Sequence, residues 1–315
     1  MVNQEIFGRT KDWVLISMFG GLILGVLYFF SELLTELPFF KRESLGFLLA
    51  CKVLIYIIII LFVTNFISQV ISRFFLMDVV RGPIITYKFF WSFVAYFMLF
   101  SFLFSFFGMV SEKFGNGVLI NMIMGKYRTP KEEKRVFMFI DLKSSTALAE
   151  KLGHFEYSRL IQQCFYDLNE VVEKFDGEIY QYVGDEAVIS WPYKRGIREN
   201  KCIDCFFAFQ KRLNDKSKFY QDEFEVTPEF KAGIHGGFLI VTEVGIIKKE
   251  IAYHGDVLNT AARIQEACNQ YAEQLLVSEI TLEDLDRSIL NIREIGKINL
   301  KGKQQAINVL AIHYS

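Results

Sequence analysis

Two short segments each end an apolar stretch on a carboxylate: Phe139-Ile-Asp141-Leu-Lys-Ser-Ser-Thr146 and Tyr182-Val-Gly-Asp185-Glu186. Brought together, Asp141 and Asp185 would hold divalent cations against the oxygens of a phosphate chain, and oxygen ligands at strand ends suit magnesium or manganese rather than zinc. Singly, Asp141 would serve as well as a helix cap and Asp185 as a turn residue. Ser144, Ser145 and Thr146 open a helix directly after the first carboxylate, where free N–H groups favour phosphate. Farther along, Gly255-Asp-Val-Leu-Asn259-Thr-Ala-Ala-Arg263 sets an amide and a guanidinium four residues apart, hence on one helix face. The guanidinium fork grips phosphate oxygens at two points; the bland alternative for Arg263 is a solvent-exposed salt bridge.

The elements that would carry these groups follow from periodicity. Val136–Ile140 reads as a strand, Ser144–Leu152 as the start of a helix, and Glu156–Phe175 as a long amphipathic helix. Gly184-Asp185 is the two-residue turn of a hairpin between strands Glu178–Val183 and Glu186–Trp191. Cys202–Leu213 and Val257–Cys268 are helical. Phe230–His235, Phe238–Val244, Leu275–Val277, Asn299–Leu300 and Ile307–His313 read as strands. The series predicts an α+β domain, an antiparallel-rich sheet layered with helices.

In order and spacing these motifs, with Leu300-Lys301-Gly302 after them, resemble the catalytic domain of the class III nucleotidyl cyclases, from about Arg135 to the C-terminus. The resemblance implies conversion of ATP to 3′,5′-cyclic AMP and pyrophosphate with two magnesium or manganese ions per site. It assigns Asp141, Asp185 and the Leu142 carbonyl as metal ligands. Asn259 would orient the ribose, Arg263 would stabilise charge on the α-phosphate, and Lys301 would hold the terminal phosphates with Ser144, Ser145 and Thr146. Family members often carry Gly and an aromatic where Ser144-Ser145 stands. Because one subunit of the family supplies the metal carboxylates and the other the base-reading and transition-state groups, the resemblance implies a head-to-tail homodimer with two composite sites. At the base-reading positions the family has Lys or Glu, and Asp, Thr or Cys; here they are Gln181 and Ala252. A Gln amide both donates and accepts, so it matches adenine or, turned over, guanine. A guanylyl or pyrimidine nucleotide cyclase, or a catalytically silent membrane signalling module, are the competing readings.

The first third has another character. The 315 residues are 52% hydrophobic with 33 Phe, and the apolar residues concentrate in three uncharged runs, Trp13–Ser31, Val53–Ser72 and Phe89–Ser111. Each approaches the ~20 residues that cross a bilayer, and the first is too long and lacks the cleavage site of a signal peptide. The expected organisation is a membrane region at 1–111 with about three transmembrane helices, a short helical and charged linker at 112–134, and the catalytic domain at 135–315. The lipid bilayer is then a partner, the protein a multi-pass cell-membrane protein, and the catalytic domain cytoplasmic, where nucleoside triphosphate is found. The connections Glu32–Ser44 and Arg73–Lys88 are too short for an extramembrane sensor domain. Lys126, Arg128, Lys131, Lys134 and Arg135 after the third run agree with a cytoplasmic C-terminal side. Arg73, Arg81 and Lys88 fall on the opposite side, and an interfacial segment at Gly117–Met124 would reconcile them.

A net charge of −1 without a basic stripe gives no footprint for nucleic acid. The lone Cys202-x-x-Cys205 reads as buried helix thiols rather than a zinc or redox motif. All four His lie outside the apolar runs, which excludes bis-His haem ligation there.

Overall fold

The computed structural model describes residues 18, 21–34, 45–74, 88–114, 118–298 and 306–313, and the chain divides into two compact units, Met1–Lys113 and Phe114–Ser315. The first contains the helices α1 (Gly21–Leu34), α2 (Leu45–Phe74) and α3 (Lys88–Phe114). Among the described residues one stretch, Gly46–Val63, is long and apolar enough to cross a membrane; Gly21–Leu34 and Met98–Gly108 are shorter apolar helical stretches. A polar cluster ties the three helices. Lys52 pairs with Glu32 at 2.6 Å, and the Tyr56 hydroxyl donates to Glu32 and meets Ser105 Oγ at 3.0 Å.

The second unit begins with the one-and-a-half-turn helix α4 (Val118–Ile123) and a turn, after which β1 (Lys131–Leu142) starts as soon as Pro130 permits. Then follow α5 (Ser145–Lys174), β2 (Glu178–Val183), β3 (Glu186–Pro192), α6 (Tyr193–Ile197), α7 (Lys201–Asp215), α8 (Ser217–Phe224), β4 (Phe230–Val244), β5 (Glu250–His254), α9 (Asp256–Tyr271), β6 (Leu275–Ser278), α10 (Glu279–Leu282), β7 (Asn291–Ile298) and β8 (Ile307–His313). The strands form one sheet in the order β2-β3-β1-β4-β6-β8-β7, with β5 added to β4. The expected antiparallel-rich sheet is corrected to a mixed one. β4 and β6 run parallel at its centre, because α9 carries the chain back across the sheet between them, whereas β1 is antiparallel to both β3 and β4.

Alternation along β1 separates two cores. Val136, Met138, Ile140 and Leu142 face α5 and α7, packing with Leu160, Leu168, Phe206 and Phe209. Phe137 and Phe139 face the other way, toward α9, with Val188, Leu239, Val257 and Ala261. Tyr127, from the turn after α4, plugs this second core and passes its carbonyl to the Glu243 N–H at 2.8 Å.

β4 is one continuous strand where two were expected. Gly236-Gly237 looks like a break but serves close packing: a Cβ on Gly236 would come 2.6 Å from the Tyr193 ring, and one on Gly237 would come 2.9 Å from Val257. Gly153 (φ 74°) breaks α5 where the sequence divides it in two. β5 and β7 escaped the sequence pattern, and the strand expected at Asn299–Leu300 lies outside the described residues. Cys202 and Cys205 are fully buried free thiols; burial pushes Cys202 up to about 12 and raises Cys205 as well, which leaves neither with reactive character.

Candidate active site

The site is built by register. On β1, Asp141 stands opposite Glu186 of β3 on one side and Lys231 of β4 on the other. Gly184, at φ 63°, turns the β2–β3 hairpin tightly and brings Asp185 up beside Asp141, within hydrogen-bonding reach. Lys231, buried among apolar neighbours, holds Asp141 Oδ2 at 3.0 Å and Asn269 at 3.0 Å. Gln265 of α9 donates to the same Asp141 oxygen at 3.1 Å.

The electrostatics follow from crowding. Burial, with the nearby charge of Asp185 added, raises the Asp141 carboxyl above its ordinary range, and Lys231 opposes the rise. Glu186 is pushed up to about 7 by burial first, then by Asp141, Asp185 and Glu266. Tyr157 of α5 is raised by burial and by Asp185, with Ser145 within reach of its hydroxyl. Carboxylates that share a half-buried site at this cost form an acceptor for cations.

Among the described residues no group of three or more His, Cys, Asp or Glu side chains forms a ready-made metal cage. Magnesium does not ask for one: it takes one or two protein carboxylates and completes its shell with water and substrate phosphate. Asp141 and Asp185 fit that requirement. Leu142 ends β1 with its side chain in the first core.

Ser144 adopts the left-handed conformation (φ 55°) and hands the chain to α5 with no side-chain cap, so Ser145 and Thr146 stand at an N-terminus whose orphan N–H groups are open to an anion. Asn259 is exposed on α9, and Arg263 is half-exposed one turn later, pairing with both oxygens of Glu266 at 2.7 Å. The two helix residues are therefore brought together on the outer surface of α9, and Gln265 on another side of the same helix reaches Asp141. Gln181 is exposed on β2, and Ala252 half-buried on β5. Lys301 lies outside the described residues.

Sequence reasoning missed Lys231, Gln265, Glu186 and Tyr157. Lys231 is the first charge in an apolar strand, and only the pairing of β4 with β1 makes it the partner of Asp141. Gln265 had a weak signal, lying two residues beyond Arg263.

A family model for the adenylate and guanylate cyclase catalytic domain matches residues 128–312. Adenylate cyclase 2 of Rhizobium meliloti (strain 1021) is 34% identical over 204 residues, which are 64% of this chain and 56% of that protein. Adenylate cyclase 1 of the same bacterium is 26% identical over 181 residues, 56% of this chain and 27% of that protein. The chain thus spans little more than half of the first relative and about a quarter of the second. Among solved structures, the adenylyl cyclase CyaB from P. aeruginosa aligns with a TM-score of 0.53 at 19% identity, over 59% of this chain and 97% of that one. The guanylyl cyclase Cya2 aligns with a TM-score of 0.52 at 18% identity, over 58% and 93%. At those identities the likeness is one of fold.

Proposed function

The chain belongs to the adenylate and guanylate cyclase catalytic-domain family, and from that membership we propose that it converts ATP to 3′,5′-cyclic AMP and pyrophosphate. The observation that carries the reading is the register of β1, which gathers Asp141, Asp185, Glu186 and Lys231 at one strand end. A pair of magnesium or manganese ions at Asp141, Asp185 and the Leu142 carbonyl would supply the charge that acidifies the ribose 3′-hydroxyl and neutralises the triphosphate. The chain's own groups do the rest. Lys231 and Gln265 fix one oxygen of Asp141 so that the other points at the ligand side. The N-terminus of α5, at Ser144, Ser145 and Thr146, receives the β- and γ-phosphates, with Lys301 closing on them. Asn259 orients the ribose, and Arg263 leaves Glu266 to take up charge on the α-phosphate.

Within one protomer Asn259 and Arg263 are presented outward on α9 while Asp141 sits beneath it. That separation supports a head-to-tail homodimer, each site taking carboxylates from one chain and Asn259 and Arg263 from the other. Residues 1–111 form a membrane region, a reading supported by Gly46–Val63 of α2, which is long and apolar enough to cross a bilayer. Residues 112–126 connect it to a cytoplasmic catalytic domain whose sheet begins with β1 at Lys131 and whose second core takes in Tyr127. Ala252 offers the base no hydrogen bond, and this favours one second reading, a cyclase of the same mechanism with a preference for another base.

The deciding experiment is the purified full chain with manganese and each of ATP, GTP, CTP and UTP, the cyclic products separated by chromatography and identified by mass. Cyclic AMP as the main product is expected. A different cyclic nucleotide in excess sinks the adenylyl assignment alone, and no cyclic product from any of the four sinks the cyclase reading.

A further inference from the structure

Glu133, Arg135, Phe137, Phe139 and Asp141 share one face of β1, so the strand that ends in the site carboxylate carries a buried cation several residues earlier. The Arg135 side chain is only 5% exposed. It pairs with Glu178 of β2, donates to Ser190 of β3 at 3.0 Å and approaches Glu133 at 3.5 Å. Its guanidinium carbon lies 5.1 Å from the centroid of the Tyr253 ring on β5. Tyr253 packs edge-on against Tyr180 of β2 at 4.8 Å, and both rings meet Phe137.

β2 and β5 are not neighbours in the sheet; β2 pairs with β3, and β5 with β4. The Arg135–Tyr253–Tyr180 group ties them across the face of β1. A bulge between Ile179 and Gln181 takes Tyr180 out of the β2–β3 ladder, which frees its ring for this contact. Gln181 follows Tyr180 directly, and Ala252 directly precedes Tyr253. The two base-reading positions therefore hang from one tied pair of rings.

A buried guanidinium is a poor choice for plain packing, since apolar side chains of similar volume would hold the strands at least as well, and Arg135 Nε is buried without a hydrogen-bond partner. What a planar fork adds is directional bonding to several elements at once. We propose that Arg135 is a positioning residue for nucleobase selection, setting the spacing and orientation of Gln181 on β2 and Ala252 on β5 through Glu178 and Tyr253. The proposal rests on the cyclase reading for the identity of the ligand.

The test uses the full chain, wild type, Arg135→Met and Arg135→Lys, each shown by thermal melting to unfold cooperatively. Dissociation constants for N-methylanthraniloyl-ATP and N-methylanthraniloyl-GTP are read by fluorescence with manganese present, so turnover is not needed. Loss of a buried polar tie should shift the ratio of the two constants by about fivefold or more in Arg135→Met, and Arg135→Lys, which keeps the charge but lacks the fork, should show most of the same change. A merely structural role would weaken both nucleotides together. A folded Arg135→Met whose ratio stays within about twofold of wild type overturns the proposal. Should Arg135→Met fail to fold, Glu178→Gln is read by the same ratio and the same limits. Wild type that binds both analogues but forms no cyclic product sinks the cyclase reading and leaves the ratio to decide the role of Arg135; binding of neither analogue sinks both.

Discussion

In the proposed function Asp141 and Asp185, side by side at the end of β1 and in the β2–β3 turn, would answer a single chemical need, a pair of hard oxygen donors whose shell a phosphate chain completes. Removing either should lower turnover by ~100- to 1,000-fold, because one electrostatic element of a preorganised site is worth about that much. We expect Asp141→Ala and Asp185→Ala to melt as wild type does, and a tenth of wild-type cyclic product with manganese from either would discard the assignment. Glu186 shows the opposite side of the same crowding. Its carboxyl is pushed up to about 7 in the fold from an ordinary value of 4.5, so the folded state holds the proton more tightly than the unfolded one. That contribution is fully present below about 4.5 and is lost as pH rises toward 7. Glu186→Gln should therefore raise the melting temperature of the metal-free protein at pH 8 and leave it nearly unchanged at pH 4. A lower melting temperature at pH 8 would mean that the carboxylate is held by partners rather than strained by its neighbours.

Among the elements, α9 has the most to position: it presents Asn259 and Arg263 outward and sends Gln265 to Asp141. It can do so only because it lies directly on β4 at Gly233. A Cβ there would come 2.2 Å from the Gln265 nitrogen and 2.6 Å from the Ala261 oxygen, both backbone atoms that cannot rotate away. Gly233→Ala should cost about 3 kcal/mol, at the upper end of overpacking penalties, and should lower activity beyond what stability explains by lifting the helix from Asp141. Chemical denaturation and cyclic product from the folded fraction measure the two effects; a variant with wild-type values for both would show that α9 has room to move.

For the molecule as a whole, the division of chemistry between Asp141 and the outer surface of α9 sets the expectation for assembly. Mixing equal amounts of Asp141→Ala and Arg263→Ala chains, each inactive alone, should restore one competent site per heterodimer, about a quarter of wild-type specific activity if chains pair at random. Co-purification through two different tags shows that heterodimers form. Heterodimers without activity would return both groups to one chain. The polar cluster of Glu32, Lys52, Tyr56 and Ser105 belongs to the other unit, where it holds three helices together.

The local settings of the proposed site residues were legible because their signals are short-range. Asp141 closes an apolar strand, Asp185 occupies a Gly-Asp hairpin turn, and Asn259 and Arg263 are one helical turn apart; each depends on a few adjacent residues and on backbone periods of 2 or 3.6. What the sequence could not express was register. Lys231 is one lysine among many until β4 pairs with β1 and sets it opposite Asp141. Gly236-Gly237 imitates a turn until the Tyr193 ring and Val257 are found against it. The parallel β4–β6 pair, which makes the sheet mixed, depends on where α9 returns the chain, and the Arg135–Tyr253–Tyr180 tie joins residues far apart in sequence that no local period relates. Side-chain type and spacing carried the likeness to the cyclase catalytic-domain family. The choice of supporting residues fell to strand pairing, since a cross-strand contact is fixed by the energy of the whole sheet and leaves no mark on the residues beside it.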